Sequence, residues 1–311
     1  MSSTLLIAMI GAAAALPAQC LGVREPIIDV HSHSYAVDPR WKARAPNPAT
    51  GVPLTAIGEV ALRRATFEEY RRNGVIRAIV DDDGAPGSDR QSGRRSVAAD
   101  PVRMRLGIDA SLPGPEMLAK IRQLHAAGEL SAIAEVGSQY HGIGADDARM
   151  EPLWQLAEEL DLPVGIHMGL GWPGVNADMP AMRMRLGNPL LLEDVLVRHP
   201  KARVYIMHAG WPYIDGLLAM LHSFPNLYID VAVLDWAIPK AEFYTYLRRI
   251  VEAGFDDRVL YGSDQMVWPD AISISINRIK EAPFLTKAQQ RDIFFNNAVR
   301  FFGWKDLEAC R

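Results

Sequence analysis

The chain has little cysteine. Cys20 and Cys310 are the only two among 311 residues, and they lie near opposite ends. Neither has a catalytic setting, and the expectation is two unpaired thiols, with an oxidised pair as the alternative if the fold joins the ends. Charge of one sign is also scarce. A net charge of −4 offers no polybasic surface for nucleic acid or acidic lipid, which leaves a small neutral or anionic molecule as the expected partner. Repeats and low-complexity tracts are absent. No apolar run is long enough for an ordinary membrane span. The stretch from Leu5 to Leu16 is too short, and Pro17-Ala18-Gln19-Cys20 follows it as a processing site would, so residues 1–18 read as a signal peptide and the protein as periplasmic or secreted. That segment lacks an early basic residue, the first being Arg24. Gln19 is too large for the small-residue position before a lipidated cysteine.

Apolar residues make up 49% of the chain, enough for one large core. Short runs rich in Val, Ile and Leu alternate with helical patterns from residue 26 onward. The predicted strands are Ile27 to His31, Val75 to Asp81, Arg103 to Asp109, Ala132 to Val136, Pro163 to His167, Arg203 to His208, Leu227 to Val231 and Val259 to Gly262. Such uniformly apolar runs suit parallel strands buried on both faces. Between them, Met150, Leu153, Trp154, Ala157 and Leu160 keep the period of an amphipathic helix, as do Ile214, Leu217, Leu218 and Leu221. Eight strands, each followed by a helical or long segment, predict an α/β fold: a single (β/α)₈ TIM barrel over residues 26–304.

Five of these runs end on a metal-binding side chain. They carry His31 and His33 in Asp29-Val30-His31-Ser32-His33, then Glu135, His167, His208 and Asp264. Parallel strands gather such residues at one barrel mouth, where enzymes of this architecture place their chemistry. Residues two apart on a strand share a face, so His31 and His33 can reach one ion, and Asp29 has the parity to orient an imidazole. Glycines within two residues of His167 and His208 leave space for a ligand. Asp264 can bind metal and accept a proton from water, whereas Glu135 either bridges two ions or is a polar barrel residue without a metal contact. His125, His199 and His222 lie on helical patterns, and His141 is a loop residue.

Two long connections are expected at the same mouth. Ser34 to Ile57 contains four prolines, and Gly169 to Asn188 contains Trp172, Arg183 and Arg185. Arg183 or Arg185 is a candidate anchor for a substrate carboxylate, with Trp172 or Trp268 as an apolar wall. Asp81-Asp82-Asp83-Gly84 lacks the closing Glu of a calcium loop and reads as a polar loop.

These motifs resemble the amidohydrolase superfamily, in its amidohydrolase-related (type 2) branch. The resemblance rests on Asp29-Val30-His31-Ser32-His33, His167, His208, Asp264 and the closing Asn297-Ala298-Val299-Arg300-Phe301-Phe302. It implies a distorted barrel with one or two divalent ions, usually zinc, and hydrolysis of an amide, ester or lactone. It also implies His31, His33 and Asp264 at a first metal, with His167 and His208 at a second metal or around the substrate. Asp264 and His208 are then the candidate catalytic residues. Glu135 stands where many two-metal members carry a carboxylated lysine. Some type 2 members are nonoxidative decarboxylases of aromatic or unsaturated acids, and several of those replace the first histidine of the pair by Glu. This chain keeps both. The hydrolase reading therefore leads, ahead of a decarboxylase and a noncatalytic metal-containing binding protein, and a homo-oligomer is compatible with all three.

Overall fold

A computed structural model describes residues 20, 22–35, 46–54, 58–81 and 91–310. Residues 1–18, the expected signal peptide, lie outside the described residues. So do residues 36–45 and 55–57 of the first long loop and residues 82–84 of the acidic loop.

All eight predicted strands form. They are β1 (Ile27–Ser32), β2 (Val75–Val80), β3 (Met104–Ile108), β4 (Leu130–Val136), β5 (Val164–His167), β6 (Val204–Met207), β7 (Leu227–Asp230) and β8 (Val259–Leu260), paired in sequential order in one sheet. Every pairing is parallel. The Val30 N–H donates to the Tyr261 carbonyl at 3.0 Å and the Asp264 N–H to the His31 carbonyl at 2.8 Å, which brings the chain beyond β8 back onto β1 and nearly closes the barrel.

The helices are α1 (Glu59–Asn73), α2 (Ser92–Ala99), α3 (Pro115–Ala126), α4 (Glu151–Leu160), α5 (Val175–Asp178), α6 (Glu193–Arg198), α7 (Ile214–Ser223), α8 (Leu234–Ala237), α9 (Lys240–Glu252), α10 (Asp270–Lys280), α11 (Lys287–Arg291) and α12 (Asn297–Phe302). α4 shows why the periodic segments fold as they do. Pro152 sits in its first turn, where no amide donor is needed, and Leu153, Trp154, Leu156 and Ala157 are buried on one face. Its C-terminus is closed by Asp161 in the left-handed conformation.

Strand side chains divide between two cores. Ile28, Val30, Ala132, Tyr205, Met207 and Leu260 pack together with Phe295, Phe301 and Phe302, and the Tyr205 hydroxyl donates from β6 to the Val30 carbonyl on β1 at 3.3 Å. The alternate set, including Ile27, Ile133, Val164 and Ile229, packs with the apolar faces of α4, α7 and α9. Each fully buried aliphatic side chain of this kind stabilises the fold by roughly 1.5–3 kcal/mol.

The expectation of free thiols is corrected. Cys20 and Cys310 form a disulfide with their Cα atoms 6.0 Å apart, although 290 positions separate them in sequence. Both belong to the core that holds Phe301, Phe302 and Leu307, so the last segment folds back beside β1 and carries Cys310 to Cys20. Arg77 fixes the same segment by pairing with Asp306 and lying 4.8 Å over the Trp304 ring.

Among the described residues, no helix is long and apolar enough to cross a membrane.

Candidate metal centre

The strand ends bring His31, His33, Glu135, His167, His208 and Asp264 together. Three overlapping trios, His31/His208/Asp264, His31/His33/Glu135 and Glu135/His167/His208, each keep their ligand atoms within 4.8 Å of one another. All four histidines are buried. Gly262 makes room for the first: a Cβ there would lie 2.7 Å from the Cβ of His31.

Each imidazole is held by its outer nitrogen. His31 Nδ1 is 3.0 Å from Asp230 Oδ2, and His33 Nδ1 is 3.0 Å from Asp81 Oδ2. His167 Nε2 donates to the Leu170 carbonyl at 2.8 Å, and His208 Nδ1 to the Ala232 carbonyl at 3.1 Å. Carboxylates and carbonyls only accept, so each outer nitrogen carries a proton, and the inner nitrogens are the ones a cation would meet in place of a proton. Rings anchored from outside in this way are how proteins prepare histidine for a metal.

The two carboxylates complete the set. Glu135 Oε2 lies 3.4 Å from His31 Nε2 and 3.5 Å from His33 Nε2, while Oε1 lies 2.5 Å from His167 Nδ1 and 3.6 Å from His208 Nε2. Its two oxygens thus face two different histidine pairs. Asp264 Oδ1 is 2.9 Å from His33 Nε2. Yet Asp264 Oδ1 and His31 Nε2 are buried without a hydrogen bond, a costly state for polar atoms unless a cation meets them. The donor set therefore fits a divalent ion: four imidazoles and two carboxylates, with unsatisfied atoms at the point of convergence.

The comparisons with known proteins give the family and the fold. Residues 28–304 match the amidohydrolase family. The chain belongs to that family. A solved amidohydrolase from Burkholderia multivorans with bound zinc shares the fold, with a TM-score of 0.64 and 14% identity over 89% of this chain and 99% of that one. So does 5-carboxyvanillate decarboxylase LigW from Sphingomonas paucimobilis, with a TM-score of 0.58 and 17% identity over 90% and 99% of the two chains. A 141-residue stretch is 23% identical to protein fluG of Emericella nidulans, covering 44% of this chain and 16% of that protein, so the match spans under a fifth of fluG.

Electrostatics in this amidohydrolase follow from burial opposed by close charges. Burial would lower His31 and His33, but Asp264 and Asp230 around the first, and Asp81 and Asp264 around the second, hold both well above the ordinary histidine range. Burial raises Glu135, and hydrogen bonding to His167 and its neighbours outweighs that and leaves it well below the carboxylate range. Asp264 is likewise raised by burial and lowered further by His31 and His33. His208 and Asp264 adopt left-handed backbone angles, φ 56° and φ 43°. Such conformations cost non-glycine residues about 1–3 kcal/mol and cluster at functional sites.

Several residues differ from their expected roles. Asp29 does not orient an imidazole. It accepts hydrogen bonds from the His31 and Ser263 backbone N–H groups and from the Ser263 and Tyr70 hydroxyls, because the β1 register shifts between Asp29 and Ser32 and breaks the simple alternation. The orienting carboxylates are Asp230 and Asp81, whose signal was the same apolar run ending in Asp. Gly169 and Gly210 do not open space for a ligand. A Cβ on Gly169 would strike the Trp211 carbonyl, and one on Gly210 would meet the Pro189 ring, so both serve loop packing.

The substrate candidates are scattered. Trp172 reaches the site through Tyr140, whose ring stacks on it at 5.5 Å and packs against His167 at 4.5 Å. Arg183 is exposed and donates to the carbonyls of Pro180 and Met182 in its own loop. Arg185 is exposed on the turn Met184–Gly187. Trp268 packs on Trp236, which in turn donates to the Ser263 carbonyl. His141 is exposed, and His199 is paired with Glu151 and Glu158 away from the centre.

Proposed function

We propose that the chain is a metal-dependent hydrolase that adds water to an ester, lactone or amide carbonyl of a small substrate. The observation that carries this reading is the set of four imidazoles, each fixed from outside, with their inner nitrogens converging on Glu135 and Asp264. His31, His33, Glu135 and Asp264 would hold one ion, and Glu135, His167 and His208 a second, with zinc as the expected metal. A divalent ion held there polarises a carbonyl and lowers the pKa of water towards neutrality.

The protein's own residues handle the proton. Asp264 Oδ1 has no hydrogen bond and faces the centre, so it accepts the proton of the attacking water and passes it to the departing oxygen or nitrogen. His208 keeps its outer proton on the Ala232 carbonyl and so presents a fixed inner nitrogen beside Glu135. Bond for bond, water is split between the acyl carbon and the leaving group.

The second reading is nonoxidative decarboxylation, favoured by the shared fold of the LigW decarboxylase. Retention of both His31 and His33 favours hydrolysis. Metal analysis followed by a turnover screen of lactones, esters, amides and aromatic acids, with carbon dioxide monitored, separates the two. Release of carbon dioxide as the dominant activity would reject the hydrolase.

We also propose that the mature protein lies outside the reducing cytoplasm. The Cys20–Cys310 disulfide supports it, since such bonds persist in oxidising compartments. Intact-mass measurement of protein recovered from its producing cell tests it, and a full-length cytoplasmic chain with free thiols would reject it.

A further inference from the structure

One polar group at the centre has no part in the ligand set. Tyr140 lies five residues beyond Glu135, on the single turn Ser138–His141 that follows β4. The turn is closed by the Tyr140 N–H on the Gly137 carbonyl at 3.0 Å, and the Gly137 N–H donates to the Ser111 hydroxyl at 2.6 Å. Gly137 must lack a side chain here, because a Cβ would sit 2.9 Å from the Tyr140 ring. The ring is clamped between His167 and Trp172. Its placement is thus fixed by backbone, packing and stacking together.

The hydroxyl is 3.3 Å from His167 Nδ1. That nitrogen lies 2.5 Å from Glu135 Oε1, and because a carboxylate only accepts, the proton between them leaves Nδ1 unable to accept from the phenol. A cation in place of that proton would leave it equally unable. The phenolic proton then has to turn towards whatever occupies the mouth beside Glu135. A neutral O–H donor held rigid next to a cation is the arrangement that stabilises charge as it gathers on a carbonyl oxygen.

We propose that Tyr140 is a catalytic residue of this site, donating a hydrogen bond to the substrate carbonyl oxygen. The proposal rests on the hydrolytic reading and adds a named donor to it. As water's oxygen bonds to the acyl carbon, the carbonyl π pair moves onto oxygen and the Tyr140 hydrogen bond shortens. When the carbonyl re-forms, the leaving group departs with the proton carried by Asp264, and Tyr140 has kept its own proton throughout. Seating the acyl group there also puts the substrate against the Tyr140–Trp172 stack, which suits a planar acyl or aryl group.

Tyr140→Phe tests this while preserving the ring and its stacking. The metal-loaded parent and variant are compared for metal content, for calorimetric affinity towards phenylphosphonate, and for kcat and KM on the parent's best ester or lactone. The expected result is unchanged metal content, phosphonate affinity weaker by about tenfold or more, and kcat lower by about a hundredfold with KM little altered. Parental phosphonate affinity and parental kcat in Tyr140→Phe would overturn the proposal and leave the hydrolase intact. A fall in metal content would overturn it too, because the phenol would then be acting on the ligands. Weakened phosphonate binding in a protein whose parent releases only carbon dioxide would sustain the donor and reject hydrolysis instead. Tyr140→Leu, which also removes the stack, is expected to raise KM beyond the Phe variant.

Discussion

Asp230 holds His31 from behind: its Oδ2 lies 3.0 Å from His31 Nδ1, while its Oδ1 accepts the backbone N–H of His208 at 2.8 Å. One carboxylate at the end of β7 therefore sets the ring of a residue on β1 and the backbone of a residue after β6. Asp230→Asn keeps the shape, but an amide that turns its NH₂ towards His31 meets another N–H. The expected outcome is a folded protein with metal affinity or activity lower by about 10–100-fold. A competition titration against a chelator measures it, and parental affinity would show that His31 needs no anchor.

Glu135 separates a one-metal from a two-metal centre. Its oxygens face His31 and His33 on one side and His167 and His208 on the other. The expected metal content is near two equivalents in the parent, falling towards one in Glu135→Gln. Equal content in both proteins would remove the bridging role. His31→Ala combined with His33→Ala should abolish metal and turnover while leaving the barrel folded, since its cores do not use these rings.

Most of the scaffold was legible because strands buried on both faces must be apolar, and a ligand can only interrupt them at their ends. That logic picked out His31, His33, Glu135, His167, His208 and Asp264, which the structure brings together. It passed over Asp230 and Asp81, which end the same kind of run, because a carboxylate that anchors a distant imidazole has no local partner to reveal it. Alternation misassigned Asp29, since a register shift inside β1 is not written in hydrophobicity. Tyr140 and the Cys20–Cys310 pair depend on a turn and on the return of the last segment, both of which are tertiary facts.

The disulfide closes a loop over nearly the whole chain. Its chain-entropy contribution is roughly 2–5 kcal/mol, at the upper end for a loop spanning 290 positions. A Cys20→Ser, Cys310→Ser variant should unfold at lower temperature with its metal content unchanged, as the bond lies in the Phe301/Phe302 core and not at the mouth. Scanning calorimetry decides it. An unaltered midpoint would mean that packing of Leu307 and the Arg77–Asp306 pair holds the segment alone.

Asp235 gives a pH signature from outside the ligand set. It is fully buried on α8, neither of its oxygens has a hydrogen bond, and burial, with Asp230 next, drives its pKa well above the carboxylate range. The native state therefore binds a proton that the unfolded chain releases near its ordinary value. Stability from this group is complete below that value and is lost as pH rises towards the folded pKa. Asp235→Asn should be more stable than the parent at neutral and alkaline pH and should lose that advantage in acid. Denaturation curves that differ by the same amount at every pH would contradict the assignment.

Asp264 decides between the two reactions. For hydrolysis its carboxylate must both face the metal site and take water's proton, so Asp264→Asn should keep the bulk fold yet lose catalysis by about a hundredfold or more, the usual scale for a general base. Decarboxylation consumes no water. Turnover of the best substrate in oxygen-18 water therefore gives a product with one labelled oxygen if Asp264 serves hydrolysis, and a product with a solvent hydrogen but no solvent oxygen if the reaction is decarboxylation. The second outcome, with carbon dioxide released, would reassign the centre to carboxylate binding and leave His167 or His208 as the candidate proton donor.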